Sequence, residues 1–198
     1  MCEIDAKVVE VARRFFSRST ATAFDDPRLT LVHQDAAVFL EEQGEAAHFD
    51  VIVVDSSDPV GPAETLYEPA FYTSMHRALS PGGVIATQGE CMWLHLPLIT
   101  RVMASCSALF ESVDYAYTCV PTYPSGQIGF ILCQRGPDAA DGATGDKAGG
   151  SGGRGLRLPS RAVSSSMQQL LKYHTVAIHE AAFVLPKFAE QAIAAARK

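Results

Sequence analysis

Asp55 and Asp58 lie three residues apart in the stretch VVDSSDPVGPAE, directly after the apolar run FDVIVV, and Glu64 closes the stretch. This much carboxylate at the end of an apolar strand indicates a site for a cationic ligand, because buried negative charge requires a positive partner. A buried carboxylate with a second carboxylate nearby is also a stronger base than a surface aspartate. Asp55 is therefore a candidate base, while Asp58 could instead be a turn residue before Pro59.

Two further acids occupy equivalent places at the ends of predicted strands. They are Glu3 in MCEID and Asp35 in LVHQD. Ligands of open α/β sheets bind beyond the carboxyl ends of the strands, where an acid commonly accepts hydrogen bonds from ribose hydroxyls. An acid one strand further on could accept from an amino group of a base. Helix capping remains an alternative for Asp5 and Asp35, since each precedes a predicted helix.

The elements that must position these acids follow from hydrophobic periodicity. Predicted helices are DAKVVEVARRFF, AAVFLEEQ, EPAFYTSMHRALSPGG and LHLPLITRVMASCSALF. Predicted strands are RLTLVHQD, FDVIVVDSS, GVIATQ and the antiparallel pair SVDYAYTCVPT and GQIGFILCQ. The run FDVIVV is typical of a strand buried on both faces of a parallel sheet. The alternation predicts a doubly wound α/β sheet.

The predicted domain has an insertion near its C-terminal end. Residues 136–158 hold eight of the 15 glycines and almost no large apolar side chain, so we expect a disordered insertion. The partial domain then comprises residues 1–135, and residues 159–198 complete it as two helical pieces.

Composition excludes several classes of protein. A net charge of −6 argues against a nucleic acid or an anionic membrane surface as partner. Five cysteines without a CxxC spacing, no signal peptide and no apolar run of roughly 18 residues predict a cytoplasmic protein. The histidines lack metal-ligand spacing and the serines lack a G-x-S-x-G elbow, so neither a metal site nor a serine hydrolase is expected.

Five separated motifs carry a family resemblance. They are CEID, VVDSSDPVGPAE, QGECMWLHL (88–96), VPTYPSGQIGF (120–130) and HEAAFVLPKFA (179–189). In this order they resemble the aminopropyltransferases of polyamine biosynthesis, the spermidine synthase family. The resemblance implies a Rossmann-like fold of the class I methyltransferase type. It also implies aminopropyl transfer from decarboxylated S-adenosylmethionine, a co-substrate, to putrescine, without a further cofactor, and a homo-oligomer in the full-length form.

The resemblance also implies which residues bind the aminopropyl donor. Glu3 matches the acid that holds the ribose hydroxyls, and Asp35 the acid that faces the adenine amino group. Pro62 and Ala63 match the loop that packs on the adenine. Ala36 stands where the family usually has glycine, which makes a close approach of the backbone to the donor less certain.

A second set of matched positions implies the acceptor side of the site. Asp55 matches the catalytic carboxylate, with Tyr123 beside it, and Asp58 matches the acid that holds the diamine. Three further positions match the diamine end of the pocket: Gln88, Glu90 and Trp93. Tyr123 could alternatively be a turn aromatic between two prolines.

The chain departs from the family pattern before CEID. Family members carry an N-terminal β domain, a first strand and a GGGDGG loop there. Without them we expect the strands ending at Glu3 and Asp55 to expose an unpaired apolar edge, and the chain alone to be inactive. Three alternatives follow: an incomplete spermidine synthase, a non-catalytic paralogue that pairs with a full-length synthase, or a related spermine synthase or putrescine N-methyltransferase.

Overall fold

The computed structural model describes five stretches of the chain, which are residues 1–43, 49–59, 61–137, 154–159 and 162–197. The chain divides into two compact units, residues 1–47 and 48–198, and each is described by itself. None of the described helices is long and apolar enough to cross a membrane.

The first unit contains two helices, α1 (Ala6–Phe16) and α2 (Ala36–Gln43). Asp5 is the N-cap of α1, where its carboxylate accepts from the Lys7 amide at 2.7 Å. The predicted strand RLTLVHQD is wrong in extent, because it forms only one parallel bridge, between Cys2 and Val32. Such a short pairing is sufficient to align the two segments but does not make a strand.

A four-stranded mixed sheet forms the centre of the second unit. Its strands are β1 (Phe49–Val54), β2 (Leu79–Gln88), β3 (Ser112–Cys119) and β4 (Gln127–Gln134), in the order β1-β2-β4-β3. The first pair is parallel, whereas β4 is antiparallel to both of its neighbours. The predicted α/β class and the antiparallel pair at the end of the sheet are confirmed.

Strand β1 differs from its prediction in burial. Its side chains alternate between exposed and half-buried, and Val51 and Val53 are 60% and 73% exposed. The expectation of a strand buried on both faces is therefore wrong. Val51 and Val53 point to the same face of β1 and the described residues leave this face uncovered, while β1 pairs only with β2 among the described strands.

Helices cover the sheet and complete the second unit. They are a 3₁₀ helix Gly61–Tyr67, α3 (Pro69–Ala78), α4 (Met92–Ser107), a 3₁₀ turn Pro124–Gly126, α5 (Arg154–Arg157), α6 (Ser165–Leu170), α7 (Val176–Ala181) and α8 (Lys187–Ala196). The C-terminal segment thus forms three helices after residue 160 rather than the two predicted pieces. The core lies between the sheet, α3 and α4, and includes Met75, Leu79, Ile85, Ile99, Met103 and Tyr115.

The end of the predicted insertion is ordered, contrary to expectation, while most of the insertion lies outside the described residues. Leu156 on α5 is only 8% exposed. Arg157 binds the buried carboxylate of Asp114 on β3, with Nε 2.5 Å from Oδ2, and Arg197 binds the same carboxylate at 2.6 Å. Glycine content alone failed to predict this contact, because a single apolar residue and a single buried ion pair are enough to fix so short a helix.

Candidate active site

Two carboxylates of the motif VVDSSDPVGPAE, Asp55 and Asp58, lie on the loop that follows β1. Asp55 and Asp58 are both exposed, so the burial expected for Asp55 is wrong. Strand β1 ends at Val54, so both acids lie on the loop and not within the strand. Because β1 and β2 are parallel, their carboxyl ends meet at the same edge of the sheet, and the loop lies beside the last residues of β2.

Tyr67 connects this loop to β2, a contact that the sequence analysis missed. Its half-buried hydroxyl receives a hydrogen bond from Ser56 Oγ at 3.1 Å and lies 2.9 Å from Gln88 Oε1 and 3.1 Å from the Ser57 carbonyl. Burial raises the pKa of the Tyr67 hydroxyl, the bond from Ser56 lowers it, and the charges of Glu90 and Asp58 raise it further. Asp58 lies on the loop after β1 and Glu90 follows β2, so these two acids come from different elements. A lone aromatic in a turn carries no pattern that would have predicted this role.

Glu90 follows β2 in a backbone conformation that is rare for its type. Its φ is +56°, in the left-handed region that disfavours residues with a Cβ. Two hydrogen bonds to its carbonyl hold it there, from the Gly129 amide at 2.7 Å and from the Tyr115 hydroxyl at 3.1 Å. A Cβ at Gly129 would collide with the Tyr115 hydroxyl and with that carbonyl, so only glycine allows this approach.

The Glu90 side chain is almost fully buried, at 8% exposure. Its Oε2 lies 3.0 Å from Nδ1 of His95, whereas Oε1 is buried without a hydrogen-bond partner among the described residues. A buried acceptor without a donor is costly, which marks the position as a place for a ligand donor. This is the residue of the matched diamine set with the most specific geometry.

Tyr123 and Trp93 flank this region at the surface. Tyr123 precedes the 3₁₀ turn Pro124–Gly126 and is 46% exposed, while Trp93 is 57% exposed. Two contacts fasten this turn and the following strand to the start of α4. Cys91 Sγ and Ser125 Oγ lie 2.7 Å apart, and the Trp93 indole donates to Gln127 Oε1 at 3.0 Å. Hydrogen bonds therefore connect the start of α4, which carries Trp93, to the turn and strand that follow Tyr123.

The residues matched to the donor are divided between the two units. In the first unit, Glu3 accepts from the Asp5 amide at 2.9 Å. Asp35 accepts from two amides at the start of α2, those of Ala37 at 2.7 Å and Val38 at 3.3 Å, so it has the capping role named as its alternative. Ala36 is the first residue of α2. In the second unit, the 3₁₀ helix Gly61–Tyr67 contains Pro62 and the half-buried Ala63.

A mixed α/β sheet whose parallel strands end in acids defines the class of protein. Asp55 and Asp58 lie on the loop after β1 and Glu90 follows β2, while the Tyr67 hydroxyl, which bonds Gln88 at 2.9 Å, links this loop to β2. Such a set suits a ligand with ammonium groups, because each positive charge gains a carboxylate partner. The fold and the site therefore define a Rossmann-like α/β domain with acidic residues at the carboxyl ends of its parallel strands.

Comparison with known proteins identifies the family. The model of the spermine/spermidine synthase domain matches residues 1–141. The chain belongs to the spermine/spermidine synthase family.

Three relatives show how far the likeness extends. Spermidine synthase 2 of Arabidopsis thaliana is 41% identical over 199 residues, which cover 98% of this chain and 54% of the relative. Putrescine N-methyltransferase 1 of Nicotiana attenuata is 41% identical, covering 96% of this chain and 47% of the relative. A spermidine synthase crystallised with the transition-state analogue AdoDATO has a TM-score of 0.75 and 26% identity, covering 97% of this chain and 59% of that one. The chain thus spans about half the length of the curated relatives it matches.

Proposed function

We propose that this chain serves aminopropyl transfer from decarboxylated S-adenosylmethionine to putrescine, giving spermidine and methylthioadenosine. Family membership supports the reaction type, and the relatives named spermidine synthase support the product. The observation that carries the proposal is the convergence of carboxylates at the ends of β1 and β2. Putrescine has two ammonium groups and the donor adds a sulfonium and an ammonium, so both substrates require negative partners.

The proposed reaction requires a group that accepts a proton from the attacking amine. A neutral amine of putrescine attacks the donor carbon beside the sulfonium, the N–C bond forms, the C–S bond breaks and methylthioadenosine leaves. The attacking nitrogen must lose a proton, which Asp55 accepts in this proposal, with Tyr123 as the orienting hydroxyl. An alkylammonium has a pKa of about 10 in water, so the site must also favour the neutral amine. Removing the amine from water has that effect, because desolvation disfavours its charged form.

Binding is the primary test, because it requires neither the second substrate nor turnover. Isothermal titration with putrescine is expected to give a measurable dissociation constant, and Asp58→Asn to raise it about tenfold through loss of one charged partner. Asp50→Asn is the matched control, since Asp50 is an exposed acid at the other end of β1. Absence of putrescine binding, or equal weakening by the control, contradicts the proposal.

Product analysis separates the candidate reactions. In a mixture of this chain with a full-length synthase that lacks its own catalytic acid, spermidine together with methylthioadenosine identifies aminopropyl transfer, and Asp55→Asn in this chain should abolish it. The relative named putrescine N-methyltransferase supports methyl transfer as a second candidate. N-methylputrescine formed from S-adenosylmethionine would establish that reaction instead. If the chain binds putrescine but forms neither product, even with a full-length synthase lacking its own catalytic acid, a partner-subunit role is favoured.

A further inference from the structure

Three contacts from separate parts of the chain hold Glu90 in its unusual conformation. Its positive φ is unfavourable for a residue with a side chain, and such strain persists only where the surroundings impose it. The Gly129 amide and the Tyr115 hydroxyl fix its carbonyl, and His95 contacts its carboxylate. The result is one buried carboxylate oxygen, Oε1, without a donor among the described residues.

His95 reaches Glu90 because helix α4 is kinked. Pro97 lies inside the helix and cannot donate to the carbonyl four residues earlier, and its ring disfavours the helical backbone before it. His95 accordingly has non-helical angles, φ −126° and ψ 23°, although its amide still donates to the Cys91 carbonyl at 2.8 Å. Its imidazole turns back toward the start of the helix, where Nδ1 lies 3.0 Å from Glu90 Oε2.

We propose that His95 is a positioning residue for the acceptor amine. A glutamate carboxylate rotates easily about its last bond, and a donor on one oxygen fixes the plane of both. With Oε2 held by His95, Oε1 remains as the acceptor for an ammonium or amine N–H of the substrate. This inference rests on the proposed function for the identity of the ligand, but the contact between His95 and Glu90 does not.

A spectroscopic experiment tests the contact without any substrate. At a pH about 1.5 units above the ordinary histidine value, an unpartnered imidazole is neutral and Nδ1 need not carry the proton. Nitrogen-15 NMR of the chain is expected to show a protonated Nδ1 for His95. Glu90→Gly suits the positive φ and removes the carboxylate, so it should shift the His95 signals toward the Nε2–H tautomer. An unprotonated Nδ1, or identical His95 signals in Glu90→Gly, overturns the proposal.

Binding experiments then test the role in ligand recognition. Asparagine places its amide nitrogen near the position of Nδ1, whereas alanine has no donor. We expect His95→Ala to weaken putrescine binding about tenfold, and His95→Asn to stay within about twofold of the unaltered chain. His174→Ala is the control, because the only aromatic contact of His174 among the described residues is with His179. Urea unfolding of each variant shows whether the fold is intact.

The outcomes separate this inference from the proposed function. If the unaltered chain does not bind putrescine, the proposed function fails, while the Nδ1 measurement still decides whether His95 holds Glu90. If putrescine binds and His95→Ala binds it equally well, the positioning role fails and the proposed function stands. Equal loss in His95→Ala and His95→Asn would also contradict the role, since the conservative variant should rescue binding.

Discussion

Replacement of Asp114 is expected to destabilise the second unit more than any other single loss of charge among the described residues. Its carboxylate is 2% exposed and accepts four hydrogen bonds. Two come from Arg157 at 2.5 and 3.2 Å, one from Arg197 at 2.6 Å and one from the Tyr115 amide at 3.0 Å. Asp114→Ala removes the acceptor of all four and leaves two guanidinium groups facing each other.

The magnitude follows from the burial of the two arginines. Removing one partner of a buried ion pair costs about 3–5 kcal/mol, because the remaining charge is left uncompensated. Arg197 is 20% exposed, and its Nε already lacks a partner among the described residues, whereas Arg157 is 44% exposed and can turn toward water. We therefore expect a loss near the lower end, about 3 kcal/mol, for Asp114→Ala. Arg157→Ala should cost less, about 1 kcal/mol.

Urea unfolding followed by circular dichroism measures this loss as a lower midpoint at an unchanged slope. Glu10→Ala is the matched control, since Glu10 forms an exposed ion pair with Lys7 on α1, with side chains 59% and 69% exposed. Exposed pairs on a helix contribute about 0.5 kcal/mol or less. A loss below about 1 kcal/mol for Asp114→Ala would refute the reasoning. So would strict additivity with Arg157→Ala, because residues that share a partner must couple.

Three further predictions concern the site and its supports. Gly129→Ala should lower the free energy of unfolding by about 1–3 kcal/mol, because the new Cβ collides with the Tyr115 hydroxyl. Gly126→Ala, at a glycine with open space and a positive φ, shows the separate cost of backbone strain, and a loss below about 1 kcal/mol for Gly129→Ala rejects the clash. Tyr67→Phe should weaken putrescine binding, because Gln88 loses the hydroxyl that holds it. Tyr72→Phe is the control, since its buried hydroxyl bonds only Thr87 among the described residues. Titration calorimetry compares the affinities, and an unchanged affinity of Tyr67→Phe rejects the role of Tyr67 in positioning Gln88. Burial raises the pKa of Tyr67, Tyr72 and Tyr115, so the folded state retains these protons longer. The resulting stability is complete below pH about 10 and is lost as the pH rises through the raised values; urea midpoints should fall above that pH, less so in Tyr72→Phe, and a constant midpoint would contradict this.

Local rules predicted the elements whose stability is local. Asp5 before an amphipathic run indicated the start of α1, and the cap is present. The alternation of β3 and β4 indicated an antiparallel pair, and they pair along their full lengths. The burial of β1 was not predictable in the same way. An apolar run shows that a strand can be buried, but not whether other elements pack against its faces. Asp55 is exposed for that reason, although its place after the strand was predicted.

In the candidate site, too, residues within contiguous motifs were predictable, whereas contacts between distant residues were not. The acids and Gln88 belong to contiguous motifs, so a resemblance could assign them, and their roles remain predictions. Tyr67 acts across more than ten residues of sequence through a single hydroxyl, and no spacing rule connects it to Ser56 and Gln88. The positive φ of Glu90 is equally invisible in the sequence, since glutamate normally avoids that region.

Two apparent weaknesses of the sequence explain why Glu90 can adopt that conformation. Gly129 interrupts β4 and Pro97 interrupts α4, and each alone would lower the stability of its element. In the folded chain the missing side chain of Gly129 admits the Tyr115 hydroxyl and the Glu90 carbonyl, and the helix with Pro97 is kinked at His95, which contacts the carboxylate. Both irregularities therefore act on Glu90, one at its carbonyl and the other at its carboxylate. The cost of a buried carboxylate in a strained backbone is consistent with a ligand that returns that free energy on binding, and this is why the unpartnered Oε1 is the atom at which the proposed function is most directly tested.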